Sequence, residues 1–159
     1  MLAATDDTSA FKCGDQEIDT WFREFAYINQ RAGMTKNFIS TEGESIGGFY
    51  SLSTGGLSQE DASARVTKGV ARHSIPVIIL ARMGVDLSVQ GRGLGTALLT
   101  DACLRVASIS EDVGVRALII HAKNEQVRDF YLSFAEFGPS PTDPRHLILL
   151  MKDLRAAIH

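Results

Sequence analysis

The stretch DLSVQGRGLGTALL, residues 86–99, sets three alternate glycines, Gly91, Gly93 and Gly95, between an apolar run and a leucine-rich one. Glycine loses more backbone freedom on folding than any other residue, so their repetition asks for a local reason. Upstream, PVIILARMGVDL at 76–87 is a continuous apolar run, which predicts a central strand buried on both faces. Downstream, Leu94, Leu98, Ala102 and Val106 fall on one side of a helix, with Thr100, Asp101 and Arg105 on the other. A strand that feeds a glycine turn into a helix is a recurring anion site. The first helical N–H groups lack partners, the helix dipole favours negative charge, and missing side chains let a phosphate approach. Arg92 can add a charge-assisted bond. A plain tight connection is the other reading of the same spacing.

Working outward, residues 15–33 carry Ile18, Trp21, Phe22, Phe25 and Ile28 at helical spacing, with Asp15 placed to cap the start. Residues 36–41 and 45–53 read as strands around a turn at Glu42-Gly43-Glu44, and 54–74 as a long polar connection. Residues 115–122 (VRALIIHA) predict another buried strand, in which His121 reads more readily as a core histidine than as a catalytic base. Asn124 can cap a second helix whose apolar face carries Val127, Phe130 and Phe134. Pro139, Pro141 and Pro144 break the chain before a last strand at 146–152. This order predicts one α/β domain over residues 1–159 with a mixed sheet.

With 159 residues, 45% of them hydrophobic, the chain is long enough to bury a proper core. Its net charge of −3 gives no global nucleic-acid signature, although binding depends on where charges sit. Cys13 and Cys103, the only cysteines, supply neither a metal cluster nor a disulfide framework. No metal site is expected. With no signal-peptide layout at the N-terminus and no apolar run near the roughly 20 residues that span a bilayer, a cytoplasmic, membrane-free protein is expected.

The glycine register separates the nucleotide readings. It lacks the longer G-x-G-x-x-G spacing of a dinucleotide fold and the Lys-Ser/Thr ending of an NTPase loop. Gln90-Gly91-Arg92-Gly93-Leu94-Gly95 instead matches Gln/Arg-x-x-Gly-x-Gly, the pyrophosphate turn of the Gcn5-related N-acetyltransferases (GNAT). The chain resembles this superfamily over most of its length. More narrowly, it resembles the acetyltransferase toxins of bacterial type II toxin–antitoxin pairs, through FKCGDQEIDTWF (11–22) with Gln30 and Gly33, GFYSLS (48–53) and IPVIILARMGVDLSVQGRGLGTALLTDA (75–102). NEQVRDFY (124–131) and PSPTDPRHLILLMKDL (139–154) also fit.

The resemblance implies a GNAT fold whose central strand splays from its neighbour, and acetyl-CoA as donor. Val85 and Leu87 would offer backbone groups to the pantetheine arm, and Gln90, Gly91, Arg92, Gly93, Leu94, Gly95 and Thr96 would hold the pyrophosphate. Asn124 would bond the pantetheine region, a helix cap being the other role open to it. Tyr131 would act as the acid facing the cofactor sulfur, since a phenol of ordinary pKa near 10 gives a proton to a thiolate at little cost. Read without the resemblance, Tyr131 is a packed aromatic beside Phe130 and Phe134. After it, Ala135-Glu136 stands where the family pattern places a glycine, a departure that bears on the packing behind the phenol.

The resemblance also implies the acceptor, the α-amine of an aminoacyl-tRNA, whose acetylation blocks translation. Such an amine suits a site without a dedicated base. Its pKa lies roughly 3 units below that of lysine, a difference of about 4 kcal/mol. The acid-free segment SARVTKGVARHS (63–74) offers Arg65, Lys68, Arg72 and His73 for tRNA phosphates, and Arg31 and Lys36 form a second group. An ordinary solvated loop is the competing reading. A ribbon-helix-helix antitoxin whose complex binds operator DNA, and a homodimer, are implied as partners. A housekeeping enzyme acetylating a small or protein amine, and a non-catalytic acyl-CoA-binding module, are the alternatives.

Overall fold

The computed structural model describes residues 1–70 and 73–158. In chain order the elements are α1 (Gln16–Thr20), a π-helical turn (Trp21–Phe25), α2 (Ala26–Arg31), β1 (Lys36–Glu42), β2 (Ser45–Leu57), α3 (Ala64–Thr67), β3 (Ile75–Val85), α4 (Leu94–Asp112), β4 (Ala117–His121), α5 (Glu125–Phe134), β5 (Gly138–Pro139), β6 (His146–Leu150) and α6 (Met151–Ala157). The strands form one mixed sheet in the order β1-β2-β3-β4-β6-β5. The residues group into two compact units, Met1–Ser53 with Ala81–Ala102, and Thr54–Leu80 with Cys103–His159.

In the first unit the Asp15 side chain accepts bonds from the N–H groups of Glu17 and Ile18, at 3.1 and 3.3 Å, and so starts α1 as expected. The helix is not uniform, however. A π-helical turn spans Trp21–Phe25, and its extra residue per turn stretches the inward spacing to Ile18, Phe22 and Ala26. Phe25 and Ile28, expected on the apolar face, are therefore 46% and 63% exposed. Phe22 stacks on Phe49 of β2 at 4.0 Å between ring centroids, and Phe11 meets Phe22 edge-on at 4.8 Å. The buried Asn37 of β1 donates to the Ala26 carbonyl (2.9 Å) and accepts from Ser51 Oγ (2.6 Å). Its polar groups are thus satisfied, and it ties the α2 end to both strands of the β1–β2 hairpin. That hairpin turns at Gly43-Glu44 and carries a bulge after Ser40.

In the second unit β3 pairs with β4 in parallel from Val77↔Ala117 to Leu80↔Ile120, and β4 pairs with β6 antiparallel. The β3–β4 ladder ends at Leu80, one residue short of the end of β4, while β3 continues to Val85. Ala62, Val66, Ile75, Val77, Ala117 and Ile148 form its core. The expected polar connection is shorter than residues 54–74, because β2 runs on to Leu57 and α3 seats Val66 in this core. The last strand stops at Leu150, and residues 151–152 open α6 instead. His121 is a further correction. It is the exposed last residue of β4 rather than a core side chain, with its ring against His146.

Candidate active site

The glycine turn belongs to the first unit. Gly91 and Gly93 both sit at φ +81°, a region that side-chain-bearing residues rarely adopt, whereas Gly95 lies inside α4 with ordinary dihedrals. Two of the three glycines are therefore required by backbone geometry. A Cβ added at Gly91 or Gly93 would meet no atom within 4 Å, so the cradle's mouth is open. The first helical bond of α4 runs from Ala97 N–H to the Gly93 carbonyl, 3.1 Å. The N–H groups of Leu94, Gly95 and Thr96 precede it and point out of the helix end, as an anion site needs.

Neighbouring side chains hold the turn in place. Gln90 Nε2 donates to the carbonyls of Val85 and Cys13, both at 2.9 Å, which anchors the strand end to the turn. Asp86 accepts from Ser88 N–H (3.0 Å), Ser88 Oγ (2.7 Å) and Lys12 N–H (2.9 Å). Burial opposes its charge, but these bonds outweigh burial and hold the carboxyl below its usual range. Arg92 is exposed, 3.7 Å from Glu42 Oε1. A surface pair of this kind is worth about 0–1 kcal/mol, so a bound phosphate can compete for the guanidinium. A Cβ on Gly48 would fall 2.8 Å from Leu98 Cδ1, so its absence lets α4 pack closely on β2.

Two expectations shift here. Strand β3 ends at Val85, and Leu87 opens a short 3₁₀ turn with its N–H bonded to the Lys12 carbonyl at 2.8 Å. Leu87 has no free N–H for a ligand. Gln90 spends its amide donor on the turn itself. Asp86 and Ser88 are not among the sequence-predicted site residues, and Gln90 is expected on the pyrophosphate rather than as a brace, although Asp-x-Ser before a glycine turn is a legible Asx-turn signal.

Asn124 and Tyr131 belong to the second unit. Asn124 caps α5, its side chain accepting from Val127 N–H at 2.9 Å, which leaves its amide NH₂ as a donor. The buried side of α5 centres on Tyr131, 5% exposed, rather than on the half-buried Val127, Phe130 and Phe134. Tyr131 packs against Phe130 and Phe137, with ring centroids 5.3 and 6.2 Å away. Burial pushes its phenol well above the ordinary range expected of it, which makes it a weaker acid than a solvent-exposed tyrosine. The segment after it resolves simply. Ala135 is extended, Phe137 N–H donates to the Ala135 carbonyl (2.8 Å), and Phe137 supplies the aromatic backing.

The basic segment is less free than its charges suggest. Arg65 makes a bidentate pair with Asp153 of α6, and burial opposes but does not cancel the lowering that Arg65 imposes on that carboxyl. Lys68 and His73 are exposed, and Arg72 lies outside the described residues. Arg31 and Lys36 are exposed in the first unit, at the end of α2 and the start of β1. Cys13 and Cys103 are free thiols, pushed up by burial to about 11 and about 12.

No protein-family profile matches the chain. Among solved structures, AtaT complexed with acetyl-methionyl-tRNAfMet matches with a TM-score of 0.88 at 25% identity, over 99% of this chain and 95% of that one. AtaTR bound with AcCoA gives 0.85 at 25% identity, over 100% and 95%. A mixed sheet whose central strand feeds a glycine turn is here the fold of the GNAT acetyltransferases. A "tRNA-acetylating toxin" of Mycobacterium tuberculosis is 40% identical over 157 residues, covering 99% of this chain and 93% of the relative. The chain belongs to this family of acetyltransferase toxins from toxin–antitoxin systems.

Proposed function

We propose that the chain transfers the acetyl group of acetyl-CoA to the α-amine of an aminoacyl-tRNA and so blocks translation. The carrying observation is the pair of left-handed glycines before α4, in a chain that shares 40% of its residues with a tRNA-acetylating toxin. Bound acetyl-CoA supplies an activated thioester, whose carbonyl carbon bonds to the amine nitrogen as its bond to sulfur breaks. The Gly91–Thr96 N–H groups and Arg92 bind the pyrophosphate, and Val85 lends backbone to the pantetheine arm. Gln90 acts as a brace, and Leu87 contributes contact rather than a donor. Asn124 offers its NH₂ to the arm while capping α5. Tyr131 delivers the proton that the departing sulfur takes up, at more cost than a phenol of ordinary pKa because burial holds its proton more tightly. The amine's own proton leaves to solvent.

Lys68, His73, Arg31 and Lys36, with Arg72, contact tRNA phosphates, while Arg65 serves chiefly to join α3 to α6. The protein works in the cytoplasm as a homodimer, restrained by a ribbon-helix-helix antitoxin whose complex binds operator DNA. Among the described residues no helix is long and apolar enough to cross a membrane. Incubation with labelled acetyl-CoA, a charged-tRNA pool and free polyamines tests the reading. Label should enter the charged tRNA alone. Labelling of polyamines, with charged tRNA untouched, would favour the housekeeping alternative.

A further inference from the structure

His146, the first residue of β6, lies directly across the antiparallel ladder from His121, the last residue of β4. Their rings meet edge to face with centroids 4.3 Å apart. Asp143 Oδ2 stands 3.6 Å from His146 Nε2, while Asp143 Oδ1 is held by Arg145 N–H at 2.9 Å. One ligand atom from each of the three residues lies within 4.8 Å of the others. A second bond, His146 N–H to the Asp143 carbonyl at 3.1 Å, fixes the turn that brings this carboxylate and imidazole together.

We propose that His121, Asp143 and His146 bind a divalent transition-metal ion of the zinc class. Two imidazoles and one carboxylate suit zinc, nickel or copper better than the all-oxygen preference of magnesium or calcium. Bonds of about 2.0–2.2 Å in tetrahedral geometry hold ligand atoms roughly 3.4 Å apart. The Asp143–His146 separation is already close to that, and rotation of the exposed His121 ring closes the rest. The Arg145 guanidinium, beside the site, opposes an incoming ion, whereas its main-chain N–H works the other way by orienting Asp143. Three protein ligands leave a coordination position for water. The ion would tie the 143–146 turn to the end of β4, three residues before the Asn124 cap of the Tyr131 helix. This inference stands on the cluster alone and does not depend on the acetyl acceptor.

The test uses the full chain, freed of metal by a chelator, titrated with Co²⁺ as a spectroscopic probe and with Zn²⁺ in calorimetry. One ion per chain is expected, with visible d–d bands that Zn²⁺ abolishes and a melting midpoint that rises with Zn²⁺. His121→Gln and His146→Gln should each weaken binding about tenfold or more, since even outer-shell changes at metal sites cost about 10–100-fold. Their metal-free melting should stay near that of the parent chain, and His73→Gln should bind as the parent does. If His121→Gln does not fold, Asp143→Asn on the loop carries the same comparison. Equal binding by parent and by the folded variants, or no uptake by the parent, would overturn the proposal.

Discussion

At the residue scale, the backbone of two left-handed glycines and one buried phenol carry the proposed chemistry. Gly91→Ala places a Cβ in open space but at φ +81°, so its cost to the free protein is backbone strain of about 1–2 kcal/mol, measurable by denaturant unfolding. Acetyl-CoA affinity, read by calorimetry, should fall further, because the Cβ would enter the volume proposed for the phosphates. Unchanged affinity would argue against the cradle. Tyr131→Phe keeps the packing against Phe130 and Phe137 and removes only the proton donor. It should lower kcat by about 10²–10⁴-fold with little change in the KM for acetyl-CoA. Tyr131 also bears on alkaline stability. Its folded pKa is raised above the unfolded value near 10, so the stability of the buried phenol is complete below that pH and lost as the pH climbs past it. The parent-minus-Tyr131→Phe spectrum should show no tyrosinate signal at pH 10 in the folded chain. The glycines are legible in the sequence because their register excludes competing loops. The partners of Gln90 are not, since its bond to Cys13 bridges residues 77 positions apart.

At the scale of elements, caps and apolar runs read well and one helical register does not. Asp15 and Asn124 both cap where the sequence places them. Asn124→Ala should cost about 1 kcal/mol in thermal or denaturant unfolding, and recovery of that stability in Asn124→Asp would mark the loss as a cap effect. If the asparagine also holds the pantetheine arm, Asn124→Asp restores stability without restoring the KM for acetyl-CoA. The first helix is the instructive miss. A 3.6-residue period assigns Phe25 and Ile28 to the core, but the π-helical turn at Trp21–Phe25 rotates both outward. Nothing in the local spacing announces such an insertion, and the Phe22 ring within it stacks on Phe49, a partner distant in sequence. Strand β2 outruns its sequence signal for a related reason. Its tail, Thr54–Leu57, carries two glycines and looks like loop until a neighbouring strand is available.

At the scale of the whole molecule, the family is legible because the resemblance runs through several separate stretches, and the 40% relative covers nearly the entire chain. The basic surface is less legible. Clustered charges at 63–74 suggest a phosphate patch, but the structure commits Arg65 to Asp153, a partner 88 residues away. With a net charge of −3, tRNA binding should show a shallow salt dependence. Four cationic phosphate contacts, from Arg31, Lys36, Lys68 and Arg72, correspond to a slope of about −3 to −4 in log K against log salt. A slope near about −8 would require a larger basic surface than the residues assigned here. Transfer of the acetyl group to the amino acid of a charged tRNA can be read directly. After reaction with labelled acetyl-CoA, mild base cleaves the aminoacyl ester and the products are separated. The label should leave the polynucleotide as an N-acetyl amino acid. Label retained on the tRNA after that cleavage, or equal labelling of uncharged tRNA, would contradict it.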